Sequence, residues 1–391
     1  MDNNETIRQQ CLTAKRRAMA AGCMPSRVRD DVIRRVGERL ASDCAALLEA
    51  NSRDVERAQG QLPQGLLERL WLDEGRISGL RERLMSLAAS PDPLWRGQCQ
   101  RVGGDDVVSL AAPVGAVGFV CRACPELLVT AVALCIKTGN AAVILSDISG
   151  GETDAALCDC IRSALSGSAY PPEAFVFVGG AQSGIIGDAA RGELGIDLLV
   201  HRGRRDEFRR LRDGARLPII SPGQGISHIY VDGDCDIDAA VAMTVRSIYP
   251  RDPEAGASVV LLVHNRVSAA YLAALEQSAL PYRPEYRACP VAREHLTDAV
   301  PAVRDDWSSD GLWEGNIIAI HAVATADEAI EHINAYGTAS AQAIISGRLG
   351  VIRRFCREVS ATELRVNTPL PRRDTPRAEW FVRERKVYVG G

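Results

Sequence analysis

Thiols, imidazoles and carboxylates are plentiful in this chain, but few stand at spacings that common chemistries require. Cys121-Arg122-Ala123-Cys124 has the two-residue gap of a metal clip or redox dithiol. No second pair or histidine cluster follows it at ligand distance, so neither a zinc site nor a dithiol couple is expected. Cys124 is the more interesting of the two thiols. It precedes Pro125 at the start of a predicted helix with Arg122 nearby, where a helix dipole lowers a thiol pKa; the bland alternative is a half-buried inert thiol. The six histidines lie scattered and unpaired along the sequence. There is no GxGxxG, no Gly-Lys-Ser/Thr phosphate loop, no GxSxG elbow and no HExxH helix. One loop, YPRDPEAGASVVLLV from Tyr249 to Val263, is shaped by Pro and Gly and runs into an apolar strand. Loops of that kind present reactive side chains, yet of Cys, Ser and Thr this one holds only Ser258, at the mouth of the strand.

The elements that must position these residues follow from periodicity. Up to about residue 95 the chain reads as helices, with Ser26 capping one and Asp73 opening another. Residues 99–111, CQRVGGDDVVSLA, read as a hairpin. Short apolar strands then alternate with helical stretches: strands at 115–120, 142–145, 175–178, 197–200 and 217–220, helices at 127–137, 153–166, 182–193 and 206–213. That alternation is the signature of a doubly wound parallel sheet. A second α/β set follows, with helices at 237–248, 268–278, 326–336 and 351–359 and strands at 259–263, 317–320, 343–346 and 363–366. The segment TPLPRRDTPRAEW is irregular, and WFVRERKVYVGG alternates like an edge or inter-subunit strand.

With 391 residues, two cores are expected rather than one. Apolar residues at 46% and charged residues at 25% suit a globular protein, and a net charge of −4 leaves no footprint for nucleic acid or an anionic membrane. The start, MDNNETIRQQ, lacks the apolar core of a secretion signal, so a cytoplasmic location is expected. The twelve cysteines sit mostly in apolar or helical contexts, as reduced thiols do.

The run PVGAVGFVCRACPELLVTAVALCIKTGNAAVIL, residues 113–145, resembles the gamma-glutamyl phosphate reductases, a branch of the aldehyde dehydrogenase superfamily. The resemblance continues in order through AKRRAMA, LLEANSRDVERA, LLVHRGRRDEF, LPIISPGQGISHIYVDGDCDIDAA, VVLLVHNRV, ATADEAIEHINAYGT and ELRVNTPL. It implies N-terminal helices plus a Rossmann-like cofactor domain over residues 1–232 and an α/β catalytic-type domain over 233–366. Residues 98–112 and 367–391 would form a β flap that pairs subunits. It also implies NADP(H) as cofactor, and a cysteine thiolate that attacks the acyl phosphate and is reduced off as the semialdehyde.

At the family's nucleophile position the chain departs. Against Gln-Arg-Pro-Ser-Thr-Cys-Asn it reads Pro250-Arg251-Asp252-Pro253-Glu254-Ala255-Gly256, so Ala255 stands where the cysteine would. A methyl group neither ionises nor bonds to substrate. Other departures accompany it. Family Glu-Ala-Arg-Pro-Asn becomes Arg122-Ala123-Cys124-Pro125-Glu126, placing a carboxylate where an anionic substrate would approach. A basic Arg-Gly-Gly-Lys turn suited to the NADPH phosphate becomes Ser146-Asp147-Ile148-Ser149. Pro-Arg-Gly-Gly becomes His201-Arg202-Gly203-Arg204, and His-Ser-Asp becomes Ser340-Ala341-Gln342.

The resemblance therefore implies a vestigial pocket of Arg122, Pro125, Glu126, Lys137, Arg251, Gly256 and Asn367. Ser146, Asp147, Arg202, Gly203 and Arg204 would be the cofactor contacts if any are retained. The expected function is a reductase-like protein without the parent reaction, working through binding as a homo-oligomer or with an amino-acid kinase or an active reductase. The alternative is an enzyme acting on a glutamate-like acid through another nucleophile such as Cys124.

Overall fold

The computed structural model describes residues 3–62, 64–95, 97–102, 105–147, 151–202, 205–221, 225–249, 258–307, 316–338, 341–370 and 376–389. Two compact units emerge, Met1–Ser221 with Thr375–Gly391, and Pro222–Asp374.

The first unit opens with helices α1 (Asn3–Gly22), α2 (Ser26–Ser42), α3 (Cys44–Ala58), α4 (Gln64–Leu70) and α5 (Glu74–Ala89). Asp73 caps α5 as its sequence predicts, accepting from the Arg76 amide at 2.7 Å. Ser26 is the first helical residue of α2 rather than its cap, a place taken by Pro25. Strands β1 (Gly97–Val102) and β2 (Asp105–Pro113) form the expected hairpin.

The parallel sheet follows: β3 (Ala116–Cys121), α6 (Pro125–Lys137), β4 (Ala141–Ser146), α7 (Gly151–Ser166), β5 (Phe175–Val178), α8 (Ser183–Ala190), β6 (Leu198–Arg202), α9 (Arg205–Gly214) and β7 (Ile219–Ile220). Its order is β5-β4-β3-β6-β7. β3 and β4 are buried along their whole length, and α6 is buried on nearly every side, which is why PELLVTAVALCIK carries so little charge. α6 ends in a Schellman motif: the Asn140 amide donates to the Cys135 carbonyl at 2.8 Å and the Gly139 amide to Ile136 at 3.3 Å. Gly139 takes the left-handed conformation at φ 66°, and a Cβ there would sit 2.6 Å from the Gly22 Cα.

In the second unit the elements are β8 (Ile226–Val231), α10 (Ile237–Ile248), β9 (Ser258–His264), α11 (Ser268–Ala279), β10 (Glu285–Ala288), α12 (Pro290–Arg293), β11 (Ala299–Pro301), β12 (Ile317–Val323), α13 (Ala326–Tyr336), β13 (Ala341–Ile345), α14 (Leu349–Glu358) and β14 (Glu363–Val366). They build a parallel sheet ordered β11-β10-β12-β9-β8-β13-β14. β8 lies inside it, paired with β9 and β13. The division between units thus falls before β8, at 221/222, and not at 232/233. Ser227 and His228 interrupt the apolar run of β8, which hides a strand that is buried on both faces.

The last strand, β15 (Val382–Val389), pairs antiparallel with β2, giving a three-stranded sheet ordered β1-β2-β15. The Asn140 side chain donates to the Phe381 carbonyl at 2.7 Å and ties this tail to the first unit. Residues 367–370 do not belong with it: the Leu370 amide donates to Ser247 and its side chain joins the core of the second unit. The flap therefore begins later than residue 367. Among the described residues no helix is long and apolar enough to cross a membrane.

Candidate functional site

In the first sheet the chain runs outward from β3 through β4 to β5, then returns to add β6 on the other side. The carboxyl ends of β3 and β6 consequently border a topological switch point, where open α/β sheets bind ligands. The register aligns Cys121 with both Ser146 and Arg202, so Arg122, Ser146, Asp147, His201 and Arg202 gather along one edge. Gly203 and Arg204 lie outside the described residues. Arg122 Nε stands 3.7 Å from the Asp147 carboxylate, both partly exposed. His201 is fully buried with Nε2 3.2 Å from Glu207. The turn itself is bent: Ala123 adopts φ 47° although it carries a Cβ, held by packing against Leu66 and Leu70.

Acidic groups dominate the end of β4. Ser146 Oγ donates to Asp154, a buried carboxyl. Burial pushes the Asp154 pKa up to about 7, the nearby Asp147 and Asp54 charges add to the rise, and the Ser146 hydrogen bond opposes it. Asp54 of α3 occupies the start of α7, accepting from the Thr153 amide and hydroxyl at 2.7 Å each and from the Glu152 amide at 3.2 Å. The amides and dipole that could hold a phosphate there are already engaged by an internal carboxylate. Arg57 pairs with Asp54 at 2.8 Å beside this helix start.

Several expected pocket residues have structural work of their own. Glu126 does not present a carboxylate to an incoming anion. It is buried and held by Arg76 at 2.6 Å and Arg83 at 2.9 Å, both from α5. Lys137 is 1% exposed and donates to Asp30 of α2 and to the Ser90 carbonyl, each at 2.7 Å. Its own carbonyl accepts from Arg29, which also pairs with Asp92. Lys137 is an anchor between helices rather than a pocket group. Asn367, at φ 50°, exchanges hydrogen bonds of 3.0 Å with the Ser346 backbone at the end of β13. Pro125 occupies the first turn of α6 as its ring favours, and Cys124 is the N-cap residue, only 4% exposed within the core.

Arg251, Ala255 and Gly256 lie outside the described residues. The flanks of their loop are firm: Tyr249 stacks on Tyr282 with ring centroids 3.9 Å apart and bonds Asn316 at 2.8 Å, while β9 enters the sheet between β8 and β12.

One group has no precedent in the sequence reading. The histidines taken as unpaired are partly gathered: His228 of β8 and His332 of α13 lie 5.3 Å apart by centroid, and His321 of β12 stacks on His332 at 5.2 Å. Trp307 packs against His321 and His332. His228 Nδ1 donates to the Gln342 side-chain oxygen at 3.1 Å, and burial lowers its pKa to about 4 despite that bond. Burial, with the neighbouring imidazoles, lowers His332 to about 3. Only strand order brings residues so far apart in the chain together, and no local spacing signals it. Among the described residues no group of three His, Cys, Asp or Glu converges as metal ligands.

Two α/β units, the first carrying a separate three-stranded antiparallel sheet, define the aldehyde dehydrogenase class of fold. A lactaldehyde dehydrogenase from Escherichia coli matches with a TM-score of 0.70 at 14% identity, covering 99% of this chain and 92% of that one. A gamma-glutamyl phosphate reductase structure from Thermotoga maritima matches with a TM-score of 0.85 at 24% identity, covering 98% of each chain. By sequence, a gamma-glutamyl phosphate reductase of Sorangium cellulosum is 31% identical over 382 residues, 94% of this chain and 87% of its own length. One from Thermus thermophilus is 32% identical over 337 residues, 85% and 81% respectively. No family model matches. The chain belongs to the gamma-glutamyl phosphate reductase family.

Proposed function

We propose that this protein has kept the family's scaffold and lost its reaction, the NADPH-dependent reduction of glutamyl-5-phosphate to glutamate-5-semialdehyde, and that it acts by binding. The observation that carries the reading is Ala255 at the position of the thiolate nucleophile. Removing a nucleophile from a comparable covalent mechanism costs about six decades of rate, roughly 8 kcal/mol of transition-state stabilisation. The acidic end of β4 supports it, since Asp147, Asp154 and the Asp54-filled start of α7 disfavour the NADPH phosphate.

The competing reading, catalysis by Cys124, is weakened by the burial of that thiol in the core. Binding is assigned to the flap, where Tyr388 is 64% and Val389 52% exposed on the edge strand β15. Such an edge suits pairing with a second copy or with a related partner such as an amino-acid kinase or an active reductase. We place this activity in the cytoplasm, as for a protein of amino-acid metabolism. Titration of the purified protein with NADPH, followed by nucleotide fluorescence, tests the cofactor half of the reading. No saturable binding is expected up to about 100 μM, a concentration at which a working site of ordinary affinity would be filled. Saturation in the micromolar range would overturn it.

A further inference from the structure

Away from the family's site, the second unit places imidazoles inside an otherwise apolar seam. α13 packs on one face of the second sheet through Ala329, Ile330 and Ile333, against Ile226 and Tyr230 of β8 and Ala319 and Val323 of β12. Side chains alternate along a strand, so His228, between Ile226 and Tyr230, and His321, between Ala319 and Val323, share that face. His332 of α13 meets both, with ring centroids 5.3 Å from His228 and 5.2 Å from His321. Trp307 packs on His321 and His332 from the Arg304–Trp307 turn.

Gln342 fixes the tautomer of His228. Its side-chain nitrogen donates to the Ile226 and Thr338 carbonyls at 3.2 Å each, so its oxygen faces His228 and accepts from Nδ1 at 3.1 Å. The ring therefore carries a bare lone pair on Nε2. That nitrogen, Nδ1 of His321 and both ring nitrogens of His332 are buried without a partner. A seam that only had to be stable would be filled with apolar side chains, and orphaned buried nitrogens call for another explanation.

No carboxylate among the described residues pairs with these rings. Arg287 of β10 is engaged by Glu285 and Asp306, Asp327 of α13 by Arg354 of α14, and Glu328 of α13 by the Ala324 amide. Asp232, at the far end of β8, is held by Tyr230 and Arg348, and His264 of β9 accepts from the Arg266 amide. Cys289 accepts from the Ala322 amide, and the Tyr336 ring packs 4.8 Å from His332. Arg304 and Glu331 are exposed.

We propose that His228, His321 and His332 form a proton-operated latch, which seats α13 on the second sheet while the rings are neutral and releases it, with the Arg304–Trp307 turn, when they are protonated. An imidazolium in the closed seam is a buried cation without an anion, and its new N–H has no acceptor. Lifting α13 gives both to water. Burial keeps His228 at about 4 and His332 at about 3 while the seam is closed, against an ordinary value near 6.5 once it opens. Groups lowered in the closed state take up protons preferentially in the open one, so opening is favoured as pH falls below about 6.5 and is indifferent to pH above it. His321 and His332 are only half-buried, so the latch lies close to solvent. The latch is independent of the reading of Ala255, since neither the rings nor the helix they hold belongs to that loop.

The test is hydrogen exchange on the full chain at pH 7.5 and 5, followed by peptide mass spectrometry and corrected for the intrinsic exchange rate at each pH. Protection of Ala326–Tyr336 is expected to fall about 100-fold or more at pH 5. α11, whose Tyr271, Leu272 and Leu275 pack in a different core cluster, should keep its protection. His332→Gln, which cannot titrate, should shrink the response of α13 by at least about tenfold. Equal protection of α13 at both pH values, equal losses in α11 and α13, or an unchanged response in the variant overturns the proposal. The wild-type comparison of α13 with α11 decides the matter if the variant does not fold.

Discussion

On our proposal Ala255 is a single methyl where the family's chemistry needs a thiolate, and the residues around the proposed cofactor edge decide whether restoring it would matter. Asp147, Asp154 and the Asp54 cap bring acceptors to the end of β4, which on the proposed function disfavours a bound phosphate. Ala255→Cys is therefore expected to yield no measurable reductase turnover, checked by NADPH oxidation in a coupled assay. Recovery of even a slow NADPH-dependent rate would show that the remaining pocket is competent. Departures of this kind were legible from the sequence because they stand at motif positions. Where Glu126 and Lys137 point was not legible: an ion pair chooses its partner by which helices pack together, and no spacing along the chain records that Arg76, Arg83 and Asp30 face α6.

At the scale of elements, α6 is pinned at both ends by charges that only make sense buried. Glu126 ties its first turn to α5, and Lys137 ties its last turn to α2 and to the Ser90 carbonyl. Replacing one member of a buried pair leaves the other charged and unpartnered, which costs about 3–5 kcal/mol. Lys137→Met should accordingly lower the unfolding free energy of the first unit by that much in a urea titration. A loss below about 1 kcal/mol would mean the ammonium is not anchoring the helix. The alternation of strands and helices could be read directly, and Phe175–Val178, Ile237–Ile248, Ala326–Tyr336 and Glu363–Val366 fall where periodicity puts them. β8 and β10 escaped notice for a shared reason. His228 in one and Glu285 and Arg287 in the other break the apolar run, and their burial or pairing is settled only across the sheet.

For the whole molecule, the two units carry opposite responses to acid. Asp154 in the first unit has a folded pKa raised to about 7. Between its ordinary value near 3.8 and 7 the folded state keeps a proton that the unfolded chain has lost, so this contribution to stability falls as pH rises through that window. In the second unit His228 and His332 are lowered to about 4 and 3. Below about 6.5 the unfolded chain takes up protons that the folded unit refuses, so stability there falls as pH falls. Calorimetry at pH 7.5 and 5 should show the first unit's transition gaining on the second's by about 2–6 °C, with Asp154→Asn flattening the first unit's response. Transitions that shift together in both proteins would contradict the assignment of these groups.

As a whole, the molecule is on our proposal a scaffold of the reductase family without its reaction. The most direct measurement runs the parent reaction backwards on purified protein, with glutamate-5-semialdehyde, phosphate and NADP, recording NADPH at 340 nm. The account predicts no rate above a blank lacking protein, at an enzyme concentration that would detect about one millionth of an ordinary turnover number. Steady production of NADPH that scales with protein concentration would contradict it.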